Sequence, residues 1–238
     1  MEITPLGDSA LLIRVAENFD DAPGDALNKV LATKRGLEAA QIPGTIETAP
    51  AYTTVALFYD PTRAIDAGAT LATHLFNGMR PLHHREPGVI AAALGCDLAC
   101  EVINDGVHVH PAITALVARD PRRLVLITDG IDAAGVGDGD FVLGGQDVRV
   151  HDGQARLAAT GSLAGSTLTM DDAVRRAVLD SGLPIQVASA AASGNPARVL
   201  GIDDRCGRIA PGLDADFVVL DDNLQVTRVI AAGDCPVG

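Results

Sequence analysis

The sequence predicts an α/β fold, and three observations carry the prediction. Two short, mainly apolar runs, CEVI at residues 100–103 and LVLIT at 124–128, read as strands of a parallel sheet buried on both faces. Helix-start signals recur between and after them: Pro111, the Thr169-Met170-Asp171-Asp172 stretch, and Asn195-Pro196. The chain has 238 residues, 47% of them hydrophobic, which is enough to enclose one large core or two small ones.

The first sixty residues read as a strand–helix–strand unit. After a turn at Pro5-Leu6-Gly7-Asp8, residues Leu11, Leu12 and Ile13 form a short strand. A helix is expected from about Asp25 to Ala40, with Leu27, Val30 and Leu31 at helical spacing, and Pro43-Gly44 ends it. TTVALFY at 53–59 is a second strand that stops at Asp60-Pro61, with an extra strand near Ile46. From Ile65 onward strands alternate with helices, which implies βαβ connections. Pro111 opens a helix to about Arg119. Thr169 opens another through a capping box, with Val174, Ala177 and Val178 on one face and Gly182 as its stop. Asn195 is expected to cap the helix that Pro196 begins and Gly201 closes. Residues 207–233 change style and read as a β-hairpin tail. The domain division expected is 1–64, a small α/β lobe, and 65–238, the larger α/β region.

Composition narrows the function classes. A formal net charge of −13 opposes non-specific binding to nucleic acid or to an anionic membrane surface, while leaving room for a local cationic pocket. No run of about 18 apolar residues and no basic-then-apolar start is found, so neither a spanning helix nor a leader is expected and the location expected is cytoplasmic. Cys96, Cys100, Cys206 and Cys235 form no C-x-x-C pair and read as ordinary reduced thiols. Aromatic content is 3% with no Trp, so Ala, Val, Leu and Ile must build the core.

Polar residues stand where successive apolar strands end: His74, the His108/His110 pair, and Asp129. Groups at the C-terminal ends of parallel strands converge on the active site in barrel enzymes. His74 is either a metal ligand through its neutral imidazole or a hydrogen-bonded core histidine. Asp129, after a wholly apolar strand, is either an acid/base in a cleft or a helix N-cap. THLFNGMRPLHHREPG, residues 73–88, holds three histidines and two arginines, and Arg85 with His84 makes a cationic loop suited to phosphate or carboxylate, or simply solvated. His110, just before Pro111, belongs to a strand-to-helix turn. The Gly-rich run at 161–166 can offer backbone N–H groups to an anion or sugar.

Together these motifs resemble a known family. THLFNGMRPLHHREPG, INDGVHVHP, LVLITDGIDAAG, GSLAGSTLTMDDAVR, SGNPARVLG and GRIAPGLDADFVVLD occur in order across residues 69–233. In that order they resemble the C-terminal part of N-acetylglucosamine-6-phosphate deacetylases of the amidohydrolase superfamily. The resemblance implies a partial (β/α)8, TIM-type barrel lacking its first strands. It implies His74 as a metal ligand and Asp129 as catalytic acid/base. Asn77, Gly78, Leu163, Ala164 and Gly165 would contact the substrate, and Arg85 and His108 would serve the sugar phosphate. The reaction implied is hydrolysis of the acetamide of N-acetylglucosamine 6-phosphate to glucosamine 6-phosphate and acetate, with a divalent metal, zinc or iron, as cofactor. Residues 1–62, with PLGDSALLIRV and IPGTIETAPAYTTVALFYDP, are different. They resemble the N-terminal lobe of the allophanate hydrolase subunit 1-like proteins, a family of 5-oxoprolinase components. The seam falls near residues 61–67.

The deacetylase family's first half has no counterpart here, so a glutamate and a second histidine ligand are missing and impaired turnover is expected. The expected small-molecule partner is an amino-sugar phosphate, and a homodimer or other self-association is expected from the unpaired strand edges. Three further readings stand beside this one: a non-catalytic binding or oligomerising fragment, an accidental gene fusion, and a remnant of an ATP-dependent lactam-opening complex.

Overall fold

A computed structural model of the chain describes residues 2–5, 10–16, 23–51, 53–60, 63 and 68–234. The expected turn at 5–8 and the seam at 61–67 lie largely outside the described residues, and Cys235 lies wholly outside them. The chain divides into two compact units: Met1–Thr70 with Gly78–Asp97, and Leu71–Asn77 with Leu98–Gly238.

The first unit is an antiparallel sheet with one long helix. Strands β1 (Glu2–Pro5), β2 (Ala10–Arg14), β3 (Thr45–Ala51) and β4 (Thr54–Tyr59) pair in the order β1-β2-β4-β3. Helix α1 (Pro23–Ala39) packs on β3 and β4. Its buried residues are Ala26 and Val30, one turn apart, and Val55 and Leu57 are buried on β4. Leu27, expected on that face, is 50% exposed, because the inward stripe runs through the smaller Ala26 instead. Thr48 on β3 donates its hydroxyl to Glu38 Oε1 at 3.0 Å, and Lys34 pairs with the same carboxylate, which fastens the end of α1. Helix α2 (Gly88–Gly95) buries Ile90 and Ala93.

The second unit holds the parallel strands. β5 (Leu71–Ala72), β6 (Ala99–Ile103) and β7 (Leu124–Ile127) lie side by side in that order, all parallel. Leu124, Val125 and Leu126 are all buried, so β7 is covered on both faces as its apolar sequence requires. Helix α3 (Pro111–Val117) returns the chain from β6 to β7. His110 is its N-cap, and His110 Nδ1 accepts the Ala112 N–H at 3.2 Å.

After β7 come three short antiparallel strands that the sequence reading does not anticipate: β8 (Gly139–Leu143), β9 (Gln146–His151) and β10 (Gln154–Leu157). Their inner face, with Ala133, Val148, Val150, Ala155 and Ala164, forms a small core flanked by Ile131, Phe141 and Leu157. The two connecting turns are Gly144-Gly145 and Asp152-Gly153, with both residues of each pair at positive φ. That backbone twist joins tight hairpins.

Helix α4 (Met170–Leu179) buries Ala173 and Ala177, with Val174 and Val178 flanking. Thr169 sits at its N-cap position, but its hydroxyl makes no capping bond. Helix α5 (Ile185–Ser189) runs through a π-helical turn (Ala190–Gly194) into α6 (Asn195–Leu200), and Gly201 ends it in the left-handed conformation. Asn195 is therefore inside a helical run and not a cap. Its side chain is buried, and its Nδ2 donates to the carbonyls of Pro121 and Leu124, each at 2.7 Å. It ties the helix to the start of β7. Strands β11 (Phe217–Leu220) and β12 (Val226–Ile230) form the expected antiparallel tail, with an irregularity between Val219 and Leu220. The described parallel sheet is open, and no described helix is long and apolar enough to cross a membrane.

Candidate active site

Three neighbouring parallel strands deliver polar groups at their C-terminal ends. His74 follows β5, the Asn104-Asp105 turn and His108 follow β6, and Asp129 follows β7. In open α/β sheets that end of the strands is where ligands bind.

His74 sits at φ +31°, in a left-handed turn with Phe76 at +78°. The turn is pinned to the middle of the neighbouring strand β6: Leu75 N–H donates to Glu101 O at 2.7 Å, and Thr73 Oγ1 donates to Glu101 Oε2 at 2.7 Å. Asn77 N–H closes it onto His74 O at 2.9 Å. His74 Nδ1 is buried and makes no hydrogen bond. An atom so placed carries a desolvation cost of about 1–3 kcal/mol unless a ligand meets it.

Asp129 is exposed and also left-handed, at φ +49°. Uncommon for a non-glycine residue, that conformation is imposed from outside. Ser166 N–H donates to Asp129 O at 2.8 Å, and Ile131 N–H returns to Ser166 O at 3.0 Å. The Ser166 hydroxyl donates to Thr128 O and accepts the Leu168 N–H at 3.1 Å. Gly165, at φ +62°, lets this close approach happen: a Cβ there would lie 2.5 Å from Ile131 Cγ2 and 3.0 Å from Asp129 O. The chain after β7 and the 161–166 loop are thus one clamped unit.

The N–H groups of Gly161, Ser162, Ala164 and Ser166 go to Leu157 O, Thr160 Oγ1, Ala155 O and Asp129 O. Four of the six N–H groups of residues 161–166 are thus spent within the fold, which leaves no continuous row of N–H groups for an anion. Ala164 buries its methyl in the β8–β10 core, and Leu163 bridges to Arg156. What this loop offers beside Asp129 is shape.

His108 is packed in, with its side chain 2% exposed. Its Nδ1 lies 2.7 Å from Asp105 Oδ2, while its Nε2 is buried and without a partner. The sequence reading misses Asp105, although the Asp-Gly pair at 105–106 is a turn signal in plain view. Gly78 and Arg85 belong to the first unit. Gly78 is at φ +66°, and Arg85 is exposed beside the His83 and His84 rings, whose centroids are 4.5 Å apart. Arg85 N–H donates to His83 Nδ1 at 3.3 Å.

A catalytic zinc takes three protein ligands and one open position. His74, with its orphaned nitrogen, is chemically suited to supply one. Among the described residues no two further His, Cys, Asp or Glu ligand atoms gather with it. The group of three that does gather is Asp138, His151 and Asp152, all exposed on the β8–β10 sheet. Its geometry is explained without a metal, since Asp138 accepts the N–H groups of Asp152 and Gly153 at 2.8 and 3.0 Å. The described residues therefore do not fit a complete catalytic metal centre at His74.

Comparison with known proteins bears on the family of the chain. The amidohydrolase family is matched over residues 56–235, and the carboxyltransferase domain, subdomains C and D, over residues 1–86. The N-acetylglucosamine-6-phosphate deacetylase of Bos taurus is 41% identical over 178 residues, covering 72% of this chain and 44% of that protein. The N-acetylgalactosamine-6-phosphate deacetylase of Escherichia coli O157:H7 is 46% identical over 172 residues, covering 71% of this chain and 45% of that protein. The chain thus spans about half the length of these curated relatives. A solved variant of the Mycobacterium smegmatis N-acetyl-D-glucosamine-6-phosphate deacetylase, in complex with N-acetyl-D-glucosamine-6-phosphate, superposes with a TM-score of 0.71 at 46% identity. That likeness covers 75% of this chain and 48% of the other. On these matches the chain belongs to the amidohydrolase family, as a partial match to its N-acetylglucosamine-6-phosphate deacetylases.

Proposed function

We propose that the chain carries the proton-transfer and sugar-phosphate-binding part of an amino-sugar-phosphate deacetylase site. The carrying observation is the set of strand ends: His74, His108 and Asp129 follow β5, β6 and β7, three adjacent parallel strands. We read these strands as part of a (β/α)8 barrel, with the domain boundary at 64/65. Asp129 is the acid/base, accepting a proton from the attacking water and passing it to the leaving amine. Asn77, Gly78, Leu163, Ala164 and Gly165 are read as substrate contacts, with Arg85 and His108 serving the sugar phosphate. The substrate is N-acetylglucosamine 6-phosphate, cleaved to glucosamine 6-phosphate and acetate. In this family reading His74 would supply one ligand to a divalent metal, zinc or iron, whose chemistry would be that of a Lewis acid toward the amide.

Because no complete ligand set surrounds His74 among the described residues, turnover by this chain alone is impaired. The test is metal content of the purified chain together with product release from N-acetylglucosamine 6-phosphate and its galactosamine epimer. The expected result is substrate binding, less than one metal per chain at His74, and release no faster than in Asp129→Asn. Stoichiometric metal with turnover that a chelator removes would overturn the impairment. No binding of either sugar phosphate would overturn the site reading.

A second reading is a non-catalytic chain that acts by self-association, as a homodimer. Val218, Val219, Val226 and Val229 on the β11–β12 hairpin are all exposed, which favours it. A concentration-independent monomer in sedimentation would remove it.

A further inference from the structure

Asp105, packed against His108 at the end of β6, has no role in the chemistry above. Its Oδ1 accepts the backbone N–H groups of Val107 and His108, both at 2.8 Å. Its Oδ2 faces His108 Nδ1 at 2.7 Å. An ionised carboxylate only accepts hydrogen bonds, so the ring nitrogen it faces must be the one that carries hydrogen. The carboxyl is held ionised: burial pushes its pKa up, but the bonds from the His108 ring and from the two backbone N–H groups outweigh burial and bring it below the usual value. The base of the turn is rigid. Asn104, buried, donates Nδ2 to Ala173 O on α4 at 3.0 Å and accepts the Thr114 hydroxyl from α3 at 2.9 Å. That leaves His108 Nε2, buried and without a partner, as the one ring atom still able to meet a ligand.

We propose that Asp105 is a positioning residue that holds His108 with its proton on Nδ1 and presents Nε2, as a hydrogen-bond acceptor, to a hydroxyl of a bound sugar phosphate. Fixing a tautomer through the other ring nitrogen is a general use of a carboxylate–imidazole pair. The identity of the ligand rests on the reading under Proposed function; the placement of the proton does not.

The test is imidazole nitrogen NMR on the full chain, titrated to the alkaline range where the ring is neutral. The wild-type His108 is expected in the Nδ1–H form. Asp105→Asn keeps an oxygen for the Val107 and His108 N–H groups but turns an NH2 toward Nδ1, so the proton must move to Nε2. An Nε2–H tautomer in the wild type overturns the proposal, whether or not the variant folds. So does an unchanged tautomer in a folded variant. N-acetylglucosamine 6-phosphate is then added to both. The expected result is a shift of the wild-type Nε2 signal and roughly tenfold weaker binding by the variant, about the worth of one hydrogen bond. A wild-type Nε2 signal that does not move, with the tautomers as expected, overturns the sugar-phosphate reading and leaves Asp105 as the group that orients the ring.

Discussion

The parallel strands β5–β7 and the antiparallel strands β8–β10 each number three, lie in the same unit, and carry histidines and carboxylates. They use them in opposite ways. In β5–β7 the strands are mainly apolar, with Glu101 the one charged residue within them, and His74, His108 and Asp129 come past the strand ends. Two of those groups, His74 Nδ1 and His108 Nε2, are buried and unmatched. In β8–β10, Asp138, His151 and Asp152 are exposed, and Asp138 is already satisfied by backbone N–H groups. The proposed site rests on the two buried, unpartnered imidazole nitrogens at neighbouring strand ends, because water cannot meet them and a ligand can.

The largest expected contrast between the sheets is in stability. Leu126→Ala, in the fully covered β7, is expected to cost about 2–5 kcal/mol, whereas Val142→Ala, 62% exposed on β8, should stay within about 0.5 kcal/mol. Urea unfolding measures both, and equal losses would remove the distinction. Next is Gly165→Ala, expected to cost about 1–3 kcal/mol. It puts a side chain at positive φ and drives Cβ into Ile131 and the Asp129 carbonyl. A neutral result would mean that the clamp between the 161–166 loop and Asp129 is slack.

The smallest expected effect separates the carboxylates by pH. Asp105 has its pKa lowered in the fold, so its stabilising contribution is present above its unfolded value, about 3.9. That contribution is lost as pH falls through this value toward the lowered folded one. Wild type should exceed Asp105→Asn by about 1 kcal/mol near neutrality, the net worth of a typical hydrogen bond. The gap should close below about pH 4. A gap that persists in acid would show that packing, and not the charge, sets the difference.

Much of the second unit is legible in order. LVLIT reads as a covered strand because no charged residue interrupts it, and His74, His108 and Asp129 stand out because each comes after a short, mainly apolar run. The β8–β10 strands escape that reading despite Gly144-Gly145 and Asp152-Gly153, both strong hairpin turn pairs, flanked by alternating residues. Asn195-Pro196 misleads in the other direction. The dipeptide is a good helix start, yet a helix already running through a π turn absorbs it, and the freed amide binds two carbonyls near β7.

The strands β6 and β7, the lengths of α1 and α3 and the charge balance follow from periodicity and composition, since each depends on residues within a few positions of one another. The hold of Ser166 and Gly165 on Asp129 joins atoms some 37 residues apart, just as Asn104 reaches Ala173 across 69. The hidden Nε2 of His108 likewise depends on what packs around the β6 end. No local pattern announces such contacts, because burial and partner choice are set when distant segments close on one another.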